Sequence, residues 1–272
     1  MRVWKFPWPW PRPHLLLLWI LVVATLLPAG SSAATDRPII AAASDLQFAL
    51  TEVAERFEAD TDQSVRLNFG SSGNFRRQIA QGAPFELYLS ADEAYVEALY
   101  REGHTVDEGV LYAVGRIVII APAADARADI VDGSLETLAR RLEAGEIRRF
   151  AIANPDHAPY GVAARQALET AGLWERIRPH LVLGENVSQA TRFALSGDTD
   201  GGIVAYSLAL APAISARADY ALIPADRHEP LRQRMALIQG AGETARAFHD
   251  YIQGETAREI LAEYGFVVPE DE

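Results

Sequence analysis

Four junctions between a predicted strand and the following helix carry the residues of this chain that could do chemistry. Ser44 and Ser72 lie at two junctions in the first half of the chain, and Tyr160 and Val187 lie at two in the second half. The first turn of a helix presents peptide N–H groups without intrahelical partners, together with the positive end of the helix dipole. Because hydroxyl and peptide N–H groups donate hydrogen bonds, this set is suited to holding an anion.

An anion site of this kind requires that the four helix starts point at one place. Each helix N-terminus is equivalent to about half a positive charge, so four together supply roughly two charges. In open α/β sheets, ligands bind beyond the carboxyl ends of the strands, where such turns gather. A dianion could therefore be held without lysine or arginine. Each of these residues taken alone is an ordinary helix cap, so the prediction rests on their combination.

The elements that must position these junctions alternate along the chain. Short apolar strands are followed by helices whose apolar residues recur at spacings of three and four, as in the stripe formed by Leu50, Val53 and Phe57. The predicted strands span residues 38–43, 65–69, 85–90, 116–121, 150–153, 181–183, 201–208 and 235–239. This alternation predicts an α/β protein with mostly parallel sheets.

Two strand–helix blocks of similar size meet at the β-branched strand 116–121. If the chain returns near Met235, two strands join two lobes and leave a cleft between them. We therefore assign residues 35–118 to a first lobe and residues 119–234 to a second lobe. Residues 235–272 form a return segment that packs back toward the first lobe.

Residues 1–34 are predicted to be a signal peptide. A head with three basic residues precedes an apolar run at 15–27, and the small residues that follow offer cleavage after Ala33 or Ala34. The run is shorter than the roughly 20 apolar residues of a membrane-spanning helix. An uncleaved membrane anchor is the alternative. The chain has no cysteine that could carry a lipid, so we expect a periplasmic protein.

Composition excludes several functions. Residues 1–34 hold three of the 25 basic residues and none of the 37 acidic ones, which leaves a mature net charge of −15. Nucleic-acid binding rests on basic side chains and is not expected at that charge. Without cysteines the chain can form neither disulfides nor thiolate metal sites, and its histidines lack metal-ligand spacing. Surface acids do not exclude an anionic ligand, because salt screens charges beyond about 8 Å.

At the candidate residues the sequence resembles the periplasmic molybdate-binding proteins of ABC transporters, which are type II solute-binding proteins. The motifs lie in the family's order and span nearly the whole chain after residue 34. They are Ala-Ala-Ala-Ser at 41–44, Phe-Gly-Ser-Ser at 69–72, Arg-Gln-Ile at 77–79, Gly-Ala-Pro at 82–84, Ser-Ala-Asp at 90–92, Asn-Pro-Asp-His-Ala-Pro-Tyr-Gly at 154–161, Gly-Ile-Val at 202–204 and Tyr-Gly-Phe at 264–266.

The resemblance implies a two-lobed periplasmic-binding-protein fold, with a mostly parallel sheet flanked by helices in each lobe and two hinge strands between the lobes. It implies an extracytoplasmic solute-binding protein, not an enzyme, that captures molybdate for an ABC importer. We expect tungstate to bind as well, because the two ions have nearly the same dimensions. The implied partners are the oxyanion and a membrane permease, and the protein is expected to be a monomer. No cofactor is implied, and molybdenum would be bound only as its oxyanion, with no direct metal coordination.

Carried over by motif, the resemblance also implies roles for individual residues. Ser44 and Ser72 would donate hydrogen bonds to the oxyanion through side chain and backbone. Tyr160 and Val187 would donate backbone amides from the second lobe. Asp45 occupies a position where some relatives offer a further amide.

Two departures from the family pattern affect the expected site and hinge. Some relatives place a ligand tyrosine directly after the Gly-Ile-Val strand, where this chain has Ala205, and Tyr206 comes one residue later. A shift of one residue along a strand turns the side chain to the opposite face, so Tyr206 is a candidate that the motif does not carry over directly. The second crossing has Arg234-Met235 where the family has Tyr-Pro.

The residues leave the identity of the anion open. Molybdate, tungstate and sulfate are full dianions at neutral pH, and they accept hydrogen bonds without donating any. Phosphate usually carries a proton, and Asp45 could accept it. A small organic anion is a further alternative, with Arg76, Arg77 and Arg192 available to pair with a carboxylate.

A hydrolase is the rival class. Ser44 or Ser72 would be its nucleophile, and His157 with Asp156 its base. A catalytic base must be oriented by a third group, and adjacent Asp and His side chains rarely face each other. The chain also lacks a Gly-x-Ser-x-Gly elbow. We therefore predict no catalytic residues.

Overall fold

The protein is described by a computed structural model in which Arg37–Glu272 form one compact unit. The structure describes residues 37–123 and 128–269, together with Met1, Val3 and Trp4. Apart from those three, the predicted signal peptide at 1–34 lies outside the described residues and stays a prediction. Among the described residues, no helix has the length and apolar character needed to cross a membrane.

Two five-stranded sheets organise the described part of the chain. The first sheet has the strand order β2-β1-β3-β10-β4, and the second has the order β7-β6-β8-β5-β9. The strands are β1 Ile39–Ala43, β2 Arg66–Gly70, β3 Leu87–Ser90, β4 Val110–Gly115, β5 Ile117–Pro122, β6 Phe150–Ala153, β7 Leu181–Gly184, β8 Gly202–Ala205, β9 Ala218–Leu222 and β10 Leu231–Leu237.

Helices flank both sheets, and a short 3-10 turn at Ser44–Leu46 precedes the first of them. Within residues 37–123 and 128–269 the α-helices are α1 Gln47–Thr61, α2 Ser72–Ala80, α3 Glu93–Arg101, α4 Glu136–Glu143, α5 Pro159–Thr170, α6 Trp174–Ile177, α7 Val187–Ala194, α8 Tyr206–Leu210, α9 Pro212–Ser215, α10 Glu243–Gln253 and α11 Glu255–Glu263. The predicted stripe on α1 is buried, and Phe57 packs edge-on against Phe248 with ring centroids 5.1 Å apart.

Each sheet has one strand that runs against the other four. In the first sheet, β1 is parallel to β2 and β3, and β10 is antiparallel to β3 and β4. In the second sheet, β6 is parallel to β7 and β8, and β5 is antiparallel to β8 and β9. The two reversed strands, β5 and β10, are the strands with which the chain enters the second sheet and returns to the first.

The hydrophobic cores define two lobes. The first lobe is the first sheet with α1 to α3, α10 and α11, whose apolar residues pack together. The second lobe is the second sheet with α4 to α9. The sheets change between Gly115 and Ile117 and again between Leu222 and Leu231. The lobe limits predicted after residues 118 and 234 stay a prediction.

Three parts of the secondary structure differ from the sequence-based expectation. The strands β4 and β9 were not predicted, because they are sheet edges with a mixed pattern of exposed and buried residues. The strand predicted over 201–208 ends at Ala205, and α8 begins at Tyr206. The strand β10 begins at Leu231, earlier than expected. The prediction missed these first residues because polar Gln233 is typical of a loop in sequence, although it is fully buried in the structure.

Candidate anion-binding site

A small cavity lies where the two lobes meet. About 10 Å³ of it is open to the centre of a water-sized sphere, close to the roughly 10 Å³ that one water molecule needs. The cavity is therefore far smaller than pockets for drug-sized molecules, which begin at roughly 300 Å³. Its lining comprises Ala43, Ser44, Asp45, Gly70, Ser71, Ser72, Ala91, Ala158, Pro159, Tyr160 and Val187. Five of the six predicted site residues are thus brought together: Ser44, Asp45, Ser72, Tyr160 and Val187.

The first lobe contributes Ser44 and Ser72 to this cavity. Ser44 begins the 3-10 turn directly after β1, and Ser72 begins α2 two residues after the end of β2. Ser71 caps α2, because its Oγ accepts a hydrogen bond from the Asn74 N–H at 3.3 Å. Parallel pairing brings the ends of β1 and β2 together at Ala43 and Gly70, so the two serines lie at one edge of the sheet.

Both serine hydroxyl oxygens already accept a hydrogen bond from a peptide group. Ser72 Oγ accepts from the Ala91 N–H at 3.0 Å, and Ser44 Oγ accepts from the Ser188 N–H at 3.3 Å. Within the described residues, neither hydroxyl donates to another protein group. A hydroxyl has one proton to donate, and here that proton remains for a ligand. The pair therefore offers donors to the cavity.

The second lobe contributes the first turns of α5 and α7. Tyr160 is the second residue of α5, which begins with Pro159, a favourable residue at the first position of a helix. Val187 is the first residue of α7, whose cap Asn186 accepts a hydrogen bond from the Gln189 N–H at 2.9 Å. Peptide N–H groups in these positions have no intrahelical acceptor. They add donors and helix-dipole charge opposite the two serines.

Among the described residues that line the cavity, Asp45 is the one that carries a charge. It is 1% exposed, its Oδ2 accepts from Gln233 Nε2 at 2.7 Å, and its Oδ1 has no hydrogen-bond partner in the described part of the protein. Burial raises the pKa of Asp45 from 3.8 to about 6. The Gln233 amide, the Tyr160 hydroxyl and the peptide N–H groups of Asp45 and Leu46 oppose that rise. Among the described residues, no lysine, arginine or histidine lines the cavity, so peptide groups are its source of positive partial charge.

A buried polar network lies behind Asp45. Gln233 Nε2 also donates to the Tyr160 hydroxyl at 3.1 Å, and the Tyr112 hydroxyl donates to Gln233 Oε1 at 2.7 Å. Burial raises the pKa of both tyrosines well above the ordinary value, so both hydroxyls stay neutral. Sequence reasoning missed Gln233 and Tyr112. The available sign in the sequence was the alternation of polar and apolar residues around Gln233, directly before an apolar run, which is typical of a strand.

Hydrogen bonds between the lobes surround the cavity. Ser71 Oγ lies 2.9 Å from His157 Nδ1, and the Gly73 N–H donates to the His157 carbonyl at 3.0 Å. On another side, Ser188 Oγ donates to the Ser44 carbonyl at 2.9 Å. These contacts hold the cleft closed in this structure, with the candidate ligand groups of both lobes facing one space.

Tyr206 is not among the residues that line the cavity. It is the first residue of α8, and its ring packs 5.9 Å from the Tyr220 ring, centroid to centroid. Its N–H donates to the Arg116 carbonyl at 2.9 Å. The strand β8 ends at Ala205, so Tyr206 begins the helix and does not occupy the expected position at the end of a strand. The ligand role considered for Tyr206 from sequence has no geometric support.

The arrangement expected of a hydrolase is not formed. His157 Nδ1 faces Ser71, which caps α2, and Nε2 lies 3.5 Å from a carboxylate oxygen of Glu185. Asp156 is exposed, and no hydrogen bond joins it to His157 within the described residues. In the same part of the chain, no cluster of three potential metal ligands occurs.

The two lobes with a small cavity between them define a solute-binding protein. The chain belongs to the bacterial extracellular solute-binding protein family, whose model matches residues 39–267. This is a family of binding proteins and not of enzymes. The family relationship inferred from the sequence motifs is thereby confirmed.

Particular relatives match nearly the full chain. It is 34% identical over 250 residues to the molybdate-binding protein ModA of Rhodobacter capsulatus, covering 91% of this chain and 93% of the relative. It is 30% identical over 249 residues to ModA of Escherichia coli (strain K12), covering 88% and 93%. The solved structure of the Azotobacter vinelandii periplasmic molybdate-binding protein matches with a TM-score of 0.78 at 29% identity, covering 86% of this chain and 100% of that one. This match confirms the predicted two-lobed α/β fold.

Gly73→Ala is expected to hinder closure. A Cβ at this position would lie 2.7 Å from the His157 carbonyl oxygen and 3.0 Å from the Tyr95 hydroxyl. Two inter-lobe hydrogen bonds next to the cavity would be strained, at about 1 kcal/mol each, so we expect oxyanion affinity to fall at least about tenfold. Calorimetric titration with molybdate measures this, with Gly242→Ala as the matched control because its Cβ would meet one flexible carboxylate. Equal affinity of Gly73→Ala and wild type would contradict the role of this contact.

Asp45→Asn is expected to change how stability depends on pH. The pKa of Asp45 is higher in the folded state than in the unfolded state. Its contribution to the free energy of unfolding is therefore fully present below about pH 3.8 and is lost as the pH rises through about 6. At about 1.4 kcal/mol per pH unit, the loss is about 3 kcal/mol. Between pH 4 and pH 7.5, the free energy of unfolding of the ligand-free variant should therefore rise by about that much relative to wild type, as measured by urea unfolding. The exposed Asp219→Asn variant is the control, and a pH-independent difference for Asp45→Asn would refute the assignment.

Proposed function

We propose that this protein captures molybdate, and tungstate as well, in the cavity between its lobes and delivers it to an ABC importer. The observation that carries the proposal is the state of the two serine hydroxyls, which accept from peptide N–H groups and keep their protons for a ligand. Two helix starts of the second lobe face them across the cavity. Relatives named as molybdate-binding proteins support the choice of ion.

A tetrahedral dianion fits the donors of the site. Such an ion accepts hydrogen bonds and has none to donate, and the cavity presents hydroxyl and peptide donors. A carboxylate ligand would favour an arginine for bidentate pairing, and none of the described arginines lines the cavity. Sulfate is the nearest alternative, since it differs from molybdate mainly in size. Phosphate is a further alternative because of Asp45.

Ligand capture would proceed by closure of the lobes around the ion. Ser44 and Ser72 hold the anion on the first lobe, and the peptide groups of Tyr160 and Val187 hold it on the second. The ion shifts the population toward the closed state because only that state satisfies both sets of contacts. The hydrogen bonds from Gly73 and Ser188 across the cleft stabilise the same closed state.

The proposed setting is the periplasm. Residues 1–34 would be removed as a signal peptide during export, and the absence of cysteine leaves no site for a lipid anchor. A membrane permease would recognise the closed monomer and receive the ion. The relative from Azotobacter vinelandii is named as periplasmic, which supports this assignment. No catalytic residue, cofactor or directly coordinated metal forms part of the proposal.

Ser72→Ala is expected to weaken molybdate binding, and it also removes the acceptor of the buried Ala91 N–H. It removes one hydrogen bond to a charged acceptor, worth about 2 kcal/mol, so the dissociation constant should rise roughly thirtyfold. Calorimetric titration of the purified mature protein gives the constant. Ser215→Ala, at an exposed position of α9, is the matched control and should bind as the wild type does. Unchanged affinity of Ser72→Ala would exclude this serine as a ligand.

Tungstate is expected to bind about as tightly as molybdate, because the two ions have nearly the same dimensions and charge. Sulfate and phosphate should bind more weakly. A thermal-shift series measures the ranking, since ligand at 1,000 times the dissociation constant adds about 4 kcal/mol of apparent stability. Displacement of molybdate by an equal concentration of sulfate would identify the protein as a sulfate-binding member of the same fold.

A further inference from the structure

Asp45 places a carboxyl group beside a cavity that is otherwise built from donors. The residue is 1% exposed and follows Ser44 in the 3-10 turn at the end of β1. One carboxylate oxygen, Oδ2, accepts from Gln233 Nε2 at 2.7 Å. The other, Oδ1, has no partner among the described residues although it is buried. A buried carboxylate oxygen without a partner is costly, so it points to an unassigned role.

The groups that face Asp45 cannot neutralise its charge. From β10 it meets the uncharged amide of Gln233, and from β4 and α5 it has the neutral hydroxyls of Tyr112 and Tyr160 nearby. From α8, the Ser207 hydroxyl donates to the Asp45 carbonyl at 2.8 Å. Within the described residues, no basic side chain forms an ion pair with Asp45. His157 and Glu185 lie nearby at the rim of the cavity, where they form an ion pair when the histidine is protonated.

A dianion in the cavity would therefore meet a like charge at short range. Repulsion between like charges is strong where water is excluded, and it disfavours the ionised form of the carboxyl group. Burial has already raised the pKa of Asp45 to about 6, close to neutrality. A nearby dianion raises it further, which favours the neutral form of the carboxyl group in the complex.

We propose that Asp45 couples oxyanion capture to the uptake of one proton. This inference rests on the proposed function and adds a proton to the binding equilibrium. The dianion, the ionised carboxyl group and one proton from solvent combine into a complex in which Asp45 is a neutral acid. No bond of the oxyanion is made or broken. Protonation lets the Asp45 carboxyl group donate a hydrogen bond through Oδ1 in the complex. It also removes the negative charge of Asp45 from the cavity lining.

The proton count can be measured directly. The wild-type protein is titrated with molybdate at pH 7.5 in several buffers of different ionisation enthalpy, which gives the number of protons taken up for each ion bound. We expect a value approaching one for wild type, together with a dissociation constant that rises by nearly tenfold between pH 7 and pH 8. Asp45→Asn should take up no proton and should lose this pH dependence. Molybdate itself is fully ionised over this range.

Two variants separate Asp45 from other titrating groups. His157→Gln should retain the proton uptake even where its affinity falls, because His157 contacts the rim and not the cavity. Asp219→Asn removes an exposed carboxylate from β9 and should retain both uptake and affinity. Loss of the uptake in His157→Gln but not in Asp45→Asn would overturn the proposal.

A second measurement needs no variant. Infrared difference spectra of the wild type with and without molybdate at pH 7.5 should gain the carbonyl band of a protonated carboxylic acid. Tight binding without proton uptake and without this band would refute the coupling and leave the proposed function in place. If no oxyanion binds the wild type, the proposed function fails and the coupling fails with it.

Discussion

Charge compensation by peptide groups in a small closed space is the constraint on which the site depends. In the described part of the protein no lysine, arginine or histidine lines the cavity, so hydroxyls and helix N-termini are the donors available to an anion. Such partial charges are effective only where water is excluded, because water screens them otherwise. Closure of the lobes is therefore part of the binding chemistry, and the inter-lobe contacts of Ser188 and Gly73 belong to the site as much as its lining does.

The topology makes that closure possible. In each sheet one strand runs against the other four, and these strands, β5 and β10, begin where the chain crosses between the lobes. Gln233 lies on β10 near this crossing and connects Tyr112 of the first lobe with Tyr160 of the second. Tyr160 in turn begins the helix that faces the cavity. The same network thus reaches the crossing, the second lobe and Asp45.

Close approach of backbones sets strict limits on residue size around the cavity. A side chain at Gly115 would meet the Tyr160 hydroxyl, and one at Gly73 would meet the His157 carbonyl. Gly70 leaves room for the Phe75 ring, which would lie 2.9 Å from an added Cβ. These positions have ordinary backbone angles, so glycine is required there for space and not for conformational freedom. Among the described lining residues, the acidic Asp45 is the one that opposes an anion, and the buried network of Gln233, Tyr112 and Tyr160 behind it is uncharged.

The sequence by itself determined the α/β class, the strand–helix junctions and the residues at those junctions, because strand composition, helix periodicity and capping are local properties. The tertiary structure alone decided that Ser44, Ser72, Tyr160 and Val187 share one cavity. It also decided the contact between Gln233 and Asp45, which are 188 positions apart in the chain. Edge strands and the start of α8 at Tyr206 escaped prediction for the same physical reason: their conformation is set by long-range pairing and packing, which no local pattern encodes.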